Sequence, residues 1–161
     1  MPIDISQELE SITKTLNESR IEYALCGGLA VAIYGYPRAT QDIDLLVMES
    51  DLNKIIDLLK PQGYVVQAGF ITVGVGTDSE LHLYRLSKVE DEDLLTLDLI
   101  FKTPSWENIW QNRVTLQMEG YQAKVVSMDG LKEMKKKARR KQDLADLEAL
   151  EKISDETRSE G

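Results

Sequence analysis

Residues 26 to 47, CGGLAVAIYGYPRATQDIDLLV, set a glycine pair between two apolar stretches and place two aspartates at the head of a third. That order leaves the chain few options. IEYALC is short, apolar and stopped by Gly27 and Gly28, which predicts a strand. LAVAIYG predicts a closely packed helix, and DIDLLVM predicts a second strand entering a core. Ser50 is expected to cap the next helix, whose apolar positions are Leu52, Ile55, Ile56 and Leu59 and which stops at Pro61 and Gly63. Upstream, Asp4 with Gln7 three residues on reads as a capping box for a helix carrying Ile5, Leu9, Ile12 and Leu16 and running to about Asn17.

From Gly63 to Val126 the pattern changes to short β-like runs, YVVQA, FITVGV, LHLYRL, LLTLDLIF, RVTLQM and QAKVV, separated by Gly, Asp, Ser and Pro. This half of the sheet is predicted to be antiparallel. Ser127 is expected to open a helix through the basic run, and DLADLEALEKI to form another with Leu144, Leu147 and Leu150 on one side. The expected fold class is therefore α/β (α+β), a mixed and mostly antiparallel sheet flanked by helices, with helices at the C-terminal end. At 161 residues the chain has the length of one domain. We expect that domain over residues 1–152, followed by a disordered acidic tail over 153–161.

No apolar run approaches the roughly 20 residues that would span a bilayer, and MPIDISQELE does not read as a secretory signal. A lone cysteine, Cys26, excludes an internal disulfide, and the expected location is the cytoplasm. The net charge of −9 argues against a general nucleic-acid coat. Within that acidic background, KEMKKKARRK from Lys132 to Lys141 holds seven basic residues and one acid, a local patch suited to a specific anion.

Side chains alternate across a strand, so Asp42 and Asp44 share one face while Ile43 and Leu45 take the other. Two carboxylates placed so closely repel, and a hard divalent ion such as Mg²⁺ relieves the repulsion. Two such ions about 3.5–4 Å apart can activate an attacking hydroxyl and stabilise a leaving phosphate. Thirteen aspartates in the chain make one Asp-x-Asp expected by chance. Asp91-Glu92-Asp93 is such a case and reads as a hairpin turn. What separates Asp42 and Asp44 is their position before a buried-looking strand, where uncompensated carboxylates are costly. Gly27 and Gly28 let the backbone turn sharply and approach a phosphate, or else simply make a tight turn against the sheet. Asp98, in the otherwise uncharged run LLTLDLIF, is the candidate third carboxylate; its alternatives are a solvent-facing position or a pairing with Arg or Lys.

The segments GGLAVAIYG, RATQDIDLLV and LDLIF resemble the nucleotidyltransferase superfamily that includes DNA polymerase beta, and most closely its small bacterial branches. The resemblance covers residues 20 to 102 and extends through KKKARRKQDLADLEAL to residue 150, a segment similar to C-terminal helices of abortive-infection toxin-type proteins. It implies that Asp42, Asp44 and Asp98 are catalytic and hold two Mg²⁺ ions, with Mn²⁺ as an alternative, Asp98 also serving as base. It implies that Gly27 and Gly28 cradle the triphosphate, Gly28 through its backbone alone where many relatives have serine. Arg38 and Thr40 match an Arg-x-Thr-x-Asp-x-Asp pattern and are expected to touch phosphate or order the loop. Lys135 and Arg140 fall where the related helix has its basic residues, and are expected to contact nucleotide or to pair with Asp143, Asp146 or an acidic partner.

The implied activity is transfer of a nucleoside monophosphate from a Mg-bound nucleoside triphosphate such as ATP to a hydroxyl of a protein, a tRNA end or a small molecule. A toxin–antitoxin role, a homodimer or an antitoxin partner are compatible with it. The alternative is a non-catalytic nucleotide- or protein-binding module of the same fold. Of the remaining residues, His82 has no partner at metal-ligand spacing. Cys26 reads as a small buried hydrophobe, and Trp106 with Trp110 as anchors of a short helix.

Overall fold

The structure is a computed structural model and describes residues 2–36, 40–138 and 141–160. Helix α1 (Ile5–Glu18) begins as expected: Asp4 Oδ1 accepts from the amides of Ser6 and Gln7, a cap worth about 1 kcal/mol. It leads to β1 (Tyr23–Cys26), the short helix α2 (Gly27–Ile33), and β2 (Asp42–Val47). Helix α3 (Leu52–Leu59) buries Leu52, Ile55, Ile56 and Leu59, the four positions anticipated from their spacing. Ser50 does not cap it. A 3₁₀ turn over Glu49–Asp51 precedes α3, so Ser50 already lies inside a helical turn and its hydroxyl is not at the N-cap.

The strands β3 (Val66–Val73), β4 (Leu81–Glu90) and β5 (Asp93–Phe101) form an antiparallel meander, and β6 (Val114–Gln117) pairs antiparallel with β7 (Gln122–Val125). YVVQA and FITVGV, separate runs in the sequence, contribute to the single strand β3. It shifts register between Gln67 and Gly69, where Gly69 has φ +88°. Asp91 and Glu92 make the turn between β4 and β5. All seven strands belong to one sheet in the order β3-β4-β5-β2-β1-β7-β6. The β2–β5 and β1–β7 pairs are parallel and the other four antiparallel, so the sheet is mixed and mostly antiparallel.

Residues in register share a face, and the sheet separates apolar from charged side chains accordingly. Ile43, Leu97 and Leu86 lie side by side across β2, β5 and β4, all fully buried. Helix α1 covers this face, because Lys88, two residues along from Leu86, reaches Glu8 of α1 at 2.7 Å. Tyr64 donates to the same Glu8 at 2.8 Å and is itself fully buried. Burial above all, and then the Glu8 carboxylate, push the Tyr64 phenol well above its ordinary value of 10.0. The folded chain thus keeps a proton that the unfolded chain releases above about pH 10, so this group's stabilisation is lost as pH rises through that range. Tyr64→Phe is expected to cost about 1 kcal/mol at neutral pH. It should also flatten the fall in stability between pH 9 and 11 by up to about 1.4 kcal/mol per pH unit, read from urea midpoints.

Helix α5 (Met128–Ala138) starts after Ser127, whose Oγ accepts from the Gly130 amide, and packs with α6 (Lys141–Glu160) and α2. Of the expected leucine stripe on α6 only Leu150 is buried. Asp143, Asp146 and Leu150 are buried, whereas Leu144 is exposed, because the two carboxylates meet a lysine of α5. Helix α6 runs to Glu160. Contacts hold its second half: Lys132 Nζ donates to Ser154 Oγ at 2.7 Å, and Ile153 lies against Gly35 at the end of α2. Trp106 and Trp110 are buried, with the Arg113 guanidinium 4.0 Å from the Trp110 ring centre, as expected of anchors for the short helix α4 (Glu107–Gln111). Among the described residues, no helix is long and apolar enough to cross a membrane.

Candidate active site

The site lies on the other face of the sheet, opposite the face covered by α1. Cys26 of β1 pairs with Asp44, Asp44 with Asp98 of β5, Asp98 with Arg85 of β4, and Arg85 with Gly69 of β3. These five positions form one row across the sheet, and Asp42 stands two residues along β2 on the same face. Neighbouring strands are about 4.8 Å apart and alternate residues about 7 Å, so the three aspartates start from adjacent backbone positions on one face. Asp42 is exposed, Asp44 half-buried and Asp98 buried.

Asp44 is seated against the glycine turn. Gly27 has φ +69°, and a Cβ there would lie 2.1 Å from Asp44 Oδ2. The missing side chain therefore does two things: it permits the left-handed backbone between β1 and α2, and it makes room for this carboxylate. Gly28 is buried in the first turn of α2. Thr40 orders the entry to β2, its Oγ1 accepting from the Asp42 amide at 3.3 Å. Cys26 donates to the Asp44 carbonyl at 3.5 Å. Burial first, and then the Asp44 carboxylate, push its thiol far up, which keeps it protonated and leaves it as packing.

Asp98 has a partner that the sequence reading allowed for without naming. Arg85 Nε donates to Asp98 Oδ1 at 2.7 Å and Nη2 to Oδ2 at 3.1 Å, a bidentate pair. The hydrogen bond with Asp98, followed by the charges of Asp98, Asp42 and Asp44, pushes the Arg85 pKa upward against the opposing effect of burial. Arg85 thus feels all three acids. Its only sequence signal is a single basic residue within LHLYRL, and nothing short of strand register pairs it with Asp98.

Lys135 sits between the two acids of Asp-x-x-Asp on α6, 3.1 Å from Asp143 Oδ1 and 3.1 Å from Asp146 Oδ2. Its side chain is 8% exposed and theirs 1% and 0%. Lys136 and Lys137 of the basic run face outward. Arg38 and Arg140 lie outside the described residues. His82 is at the surface beside Glu80.

The donor set fits a hard divalent cation: carboxylate oxygens on one face, with Asp42 open to solvent, leave room for water and phosphate ligands. As they stand, no three acidic, histidine or cysteine side chains among the described residues are gathered closely enough to hold an ion together. A cavity of about 470 Å³ between α4 and α5 is lined by Asn108, Asn112, Asp129 and Glu133, among others, and by none of the acids of the row.

Residues 3–131 match a family described as uncharacterised nucleotidyltransferase. The chain belongs to that family. The match includes the glycine pair, both aspartates of β2, Arg85 and Asp98, and stops within α5. A sequence search among curated proteins finds no match. The fold is similar to that of the lincosamide antibiotic adenylyltransferase LnuA bound to lincomycin, at 16% identity and a TM-score of 0.60, covering 91% of this chain and 96% of that one. It is similar to a candidate nucleotidyltransferase of Thermotoga maritima, at 14% identity and a TM-score of 0.62, covering 94% and 93%. It is also similar to ANT(2″)-Ia in complex with adenylyl-2″-tobramycin, at 11% identity and a TM-score of 0.55, covering 92% and 91%. At such identities the likeness is one of fold, and the family match is what makes this nucleotidyltransferase family member a transferase.

Proposed function

We propose that this nucleotidyltransferase moves a nucleoside monophosphate from a Mg²⁺-bound nucleoside triphosphate to a hydroxyl acceptor and releases pyrophosphate, acting in the cytoplasm. The observation that carries the reading is the placement of Asp44: in register with Asp98, and with its Oδ2 in the space a side chain at Gly27 would fill. Asp42 and Asp44 would hold the divalent ion, Mg²⁺ or Mn²⁺, with Asp98 completing the set. When bound, the ion neutralises phosphate charge and polarises the phosphorus under attack. The turn at Gly27 and Gly28 presents backbone rather than side chain to the triphosphate, and Thr40 holds Asp42 in place through its amide.

In the step itself the acceptor oxygen bonds to the α-phosphorus, the α–β bridging bond breaks, and the hydroxyl proton passes to Asp98. The protein contributes mainly position and charge, as phosphoryl transfer requires. ATP is the first donor to test, because both antibiotic-modifying neighbours are named for adenylyl chemistry. The acceptor class, whether small molecule, tRNA end or protein in a toxin–antitoxin setting, is read from the labelled product.

The experiment is transfer of α-labelled NTPs into cell extract. Wild type should label an acceptor only with Mg²⁺ or Mn²⁺ present, and Asp44→Asn should lower the rate by about a hundredfold. Nucleotide binding without transfer to any acceptor would return the chain to a non-catalytic module of the same fold.

A further inference from the structure

Within the acid row one cation is built into the sheet, and it occupies the oxygens that the proposed metal site needs. Arg85 grips both oxygens of Asp98 side-on, at 2.7 and 3.1 Å, from the neighbouring strand. The three aspartates are in register on one face, yet no three such ligands are gathered about a single point among the described residues. The two oxygens that Arg85 holds from β4 are the ones Asp98 would have to offer to an ion shared with Asp44 on β2, on the other side of β5. Arg85 is also the member of the pair able to move. Its side chain is 40% exposed against 10% for Asp98, so it can swing into water while Asp98 rotates in place.

We infer that Arg85 is a resident counter-ion that competes with the divalent metal for Asp98, so that loading the site exchanges the Arg85–Asp98 bond for a metal–Asp98 bond. This inference rests on the metal-dependent reading given above. Its physical basis is charge. A guanidinium fixed beside three carboxylates lowers their mutual repulsion, and by the same amount lowers what a second cation gains by arriving. A long side chain in water gives up such a bond at little cost, whereas a buried carboxylate must always face some cation. The site would therefore bind metal weakly until nucleotide supplies further oxygen ligands. This discourages idle occupation by metal alone.

The test is calorimetric titration of the purified full chain with Mn²⁺ alone, without nucleotide, so that the reading does not depend on turnover. Arg85→Met should bind Mn²⁺ about tenfold more tightly than wild type. Arg85→Gln, which keeps a hydrogen-bond donor for Asp98 but no charge, should show a similar gain, and serves if the methionine variant fails to fold. Arg85→Lys should show little gain, and adding Asp98→Asn to Arg85→Gln should abolish it. Equal or weaker Mn²⁺ binding by folded Arg85→Gln overturns the inference and would make Arg85 an orienting group for Asp98. That outcome leaves the transferase reading intact if wild type still transfers label and Asp44→Asn does not. If neither wild type nor Arg85→Gln binds Mn²⁺ and no label is transferred, the metal-dependent reading falls and the inference falls with it.

Discussion

Gly27→Val is expected to abolish nucleotidyl transfer, by at least about a thousandfold, and to destabilise the fold by roughly 2–4 kcal/mol. Two independent effects add at this position. The backbone at φ +69° is one that a β-branched residue avoids. Any Cβ would also sit 2.1 Å from Asp44 Oδ2, 2.8 Å from its Cγ and 2.9 Å from its Cβ, so the carboxylate has to leave its seat. Gly76 separates the two effects. It has φ +76° but nothing within 4 Å of where its Cβ would be, so Gly76→Ala carries backbone strain without the clash. Thermal melting of both variants, together with label transfer, checks the argument. Gly76→Ala should lose about 1 kcal/mol and keep its activity. A folded Gly27→Val that transfers at the wild-type rate would show that Asp44 does not need its present position.

Lys135→Met is expected to cost about 3–5 kcal/mol. The ammonium lies 3.1 Å from each of two carboxylates that are 1% and 0% exposed, and methionine leaves them in the same low-dielectric setting with one cation fewer. Because this cluster joins α5 to α6, and α2 packs against both, the loss should spread to the helix that begins at Gly27. Lys137→Ala, two residues along on the exposed side of α5, should stay within about 0.5 kcal/mol of wild type. Urea denaturation of the two variants measures the difference. A cost below about 1 kcal/mol for Lys135→Met would mean that the acids have other compensation sufficient to hold α5 and α6 together.

Arg85 and Lys135 are both basic residues facing pairs or rows of aspartates, but they differ in exposure, 40% against 8%. The exposed one can exchange its partner for a metal ion, and the buried one holds two helices together. In the sequence alone Lys135 stood out, because it lies in a dense basic run, while Arg85 was one residue in a β-like strand.

What the sequence determined by itself is whatever depends on neighbours along the chain. Helix α1 with its Asp4 cap, the apolar face of α3, the glycine turn after β1 and the shared face of Asp42 and Asp44 all follow from periods of 3.6 or 2 and from local backbone chemistry. What the tertiary structure decided is whatever depends on register between distant strands. Asp44 and Asp98 are 54 positions apart and become neighbours because β2 and β5 pair in parallel, and Arg85 joins them because β4 pairs with β5 in antiparallel. The buried side of α6 belongs to the same class. Of the expected leucine stripe only Leu150 is buried, because Asp143 and Asp146 face inward, where they meet the ammonium of Lys135 on another helix.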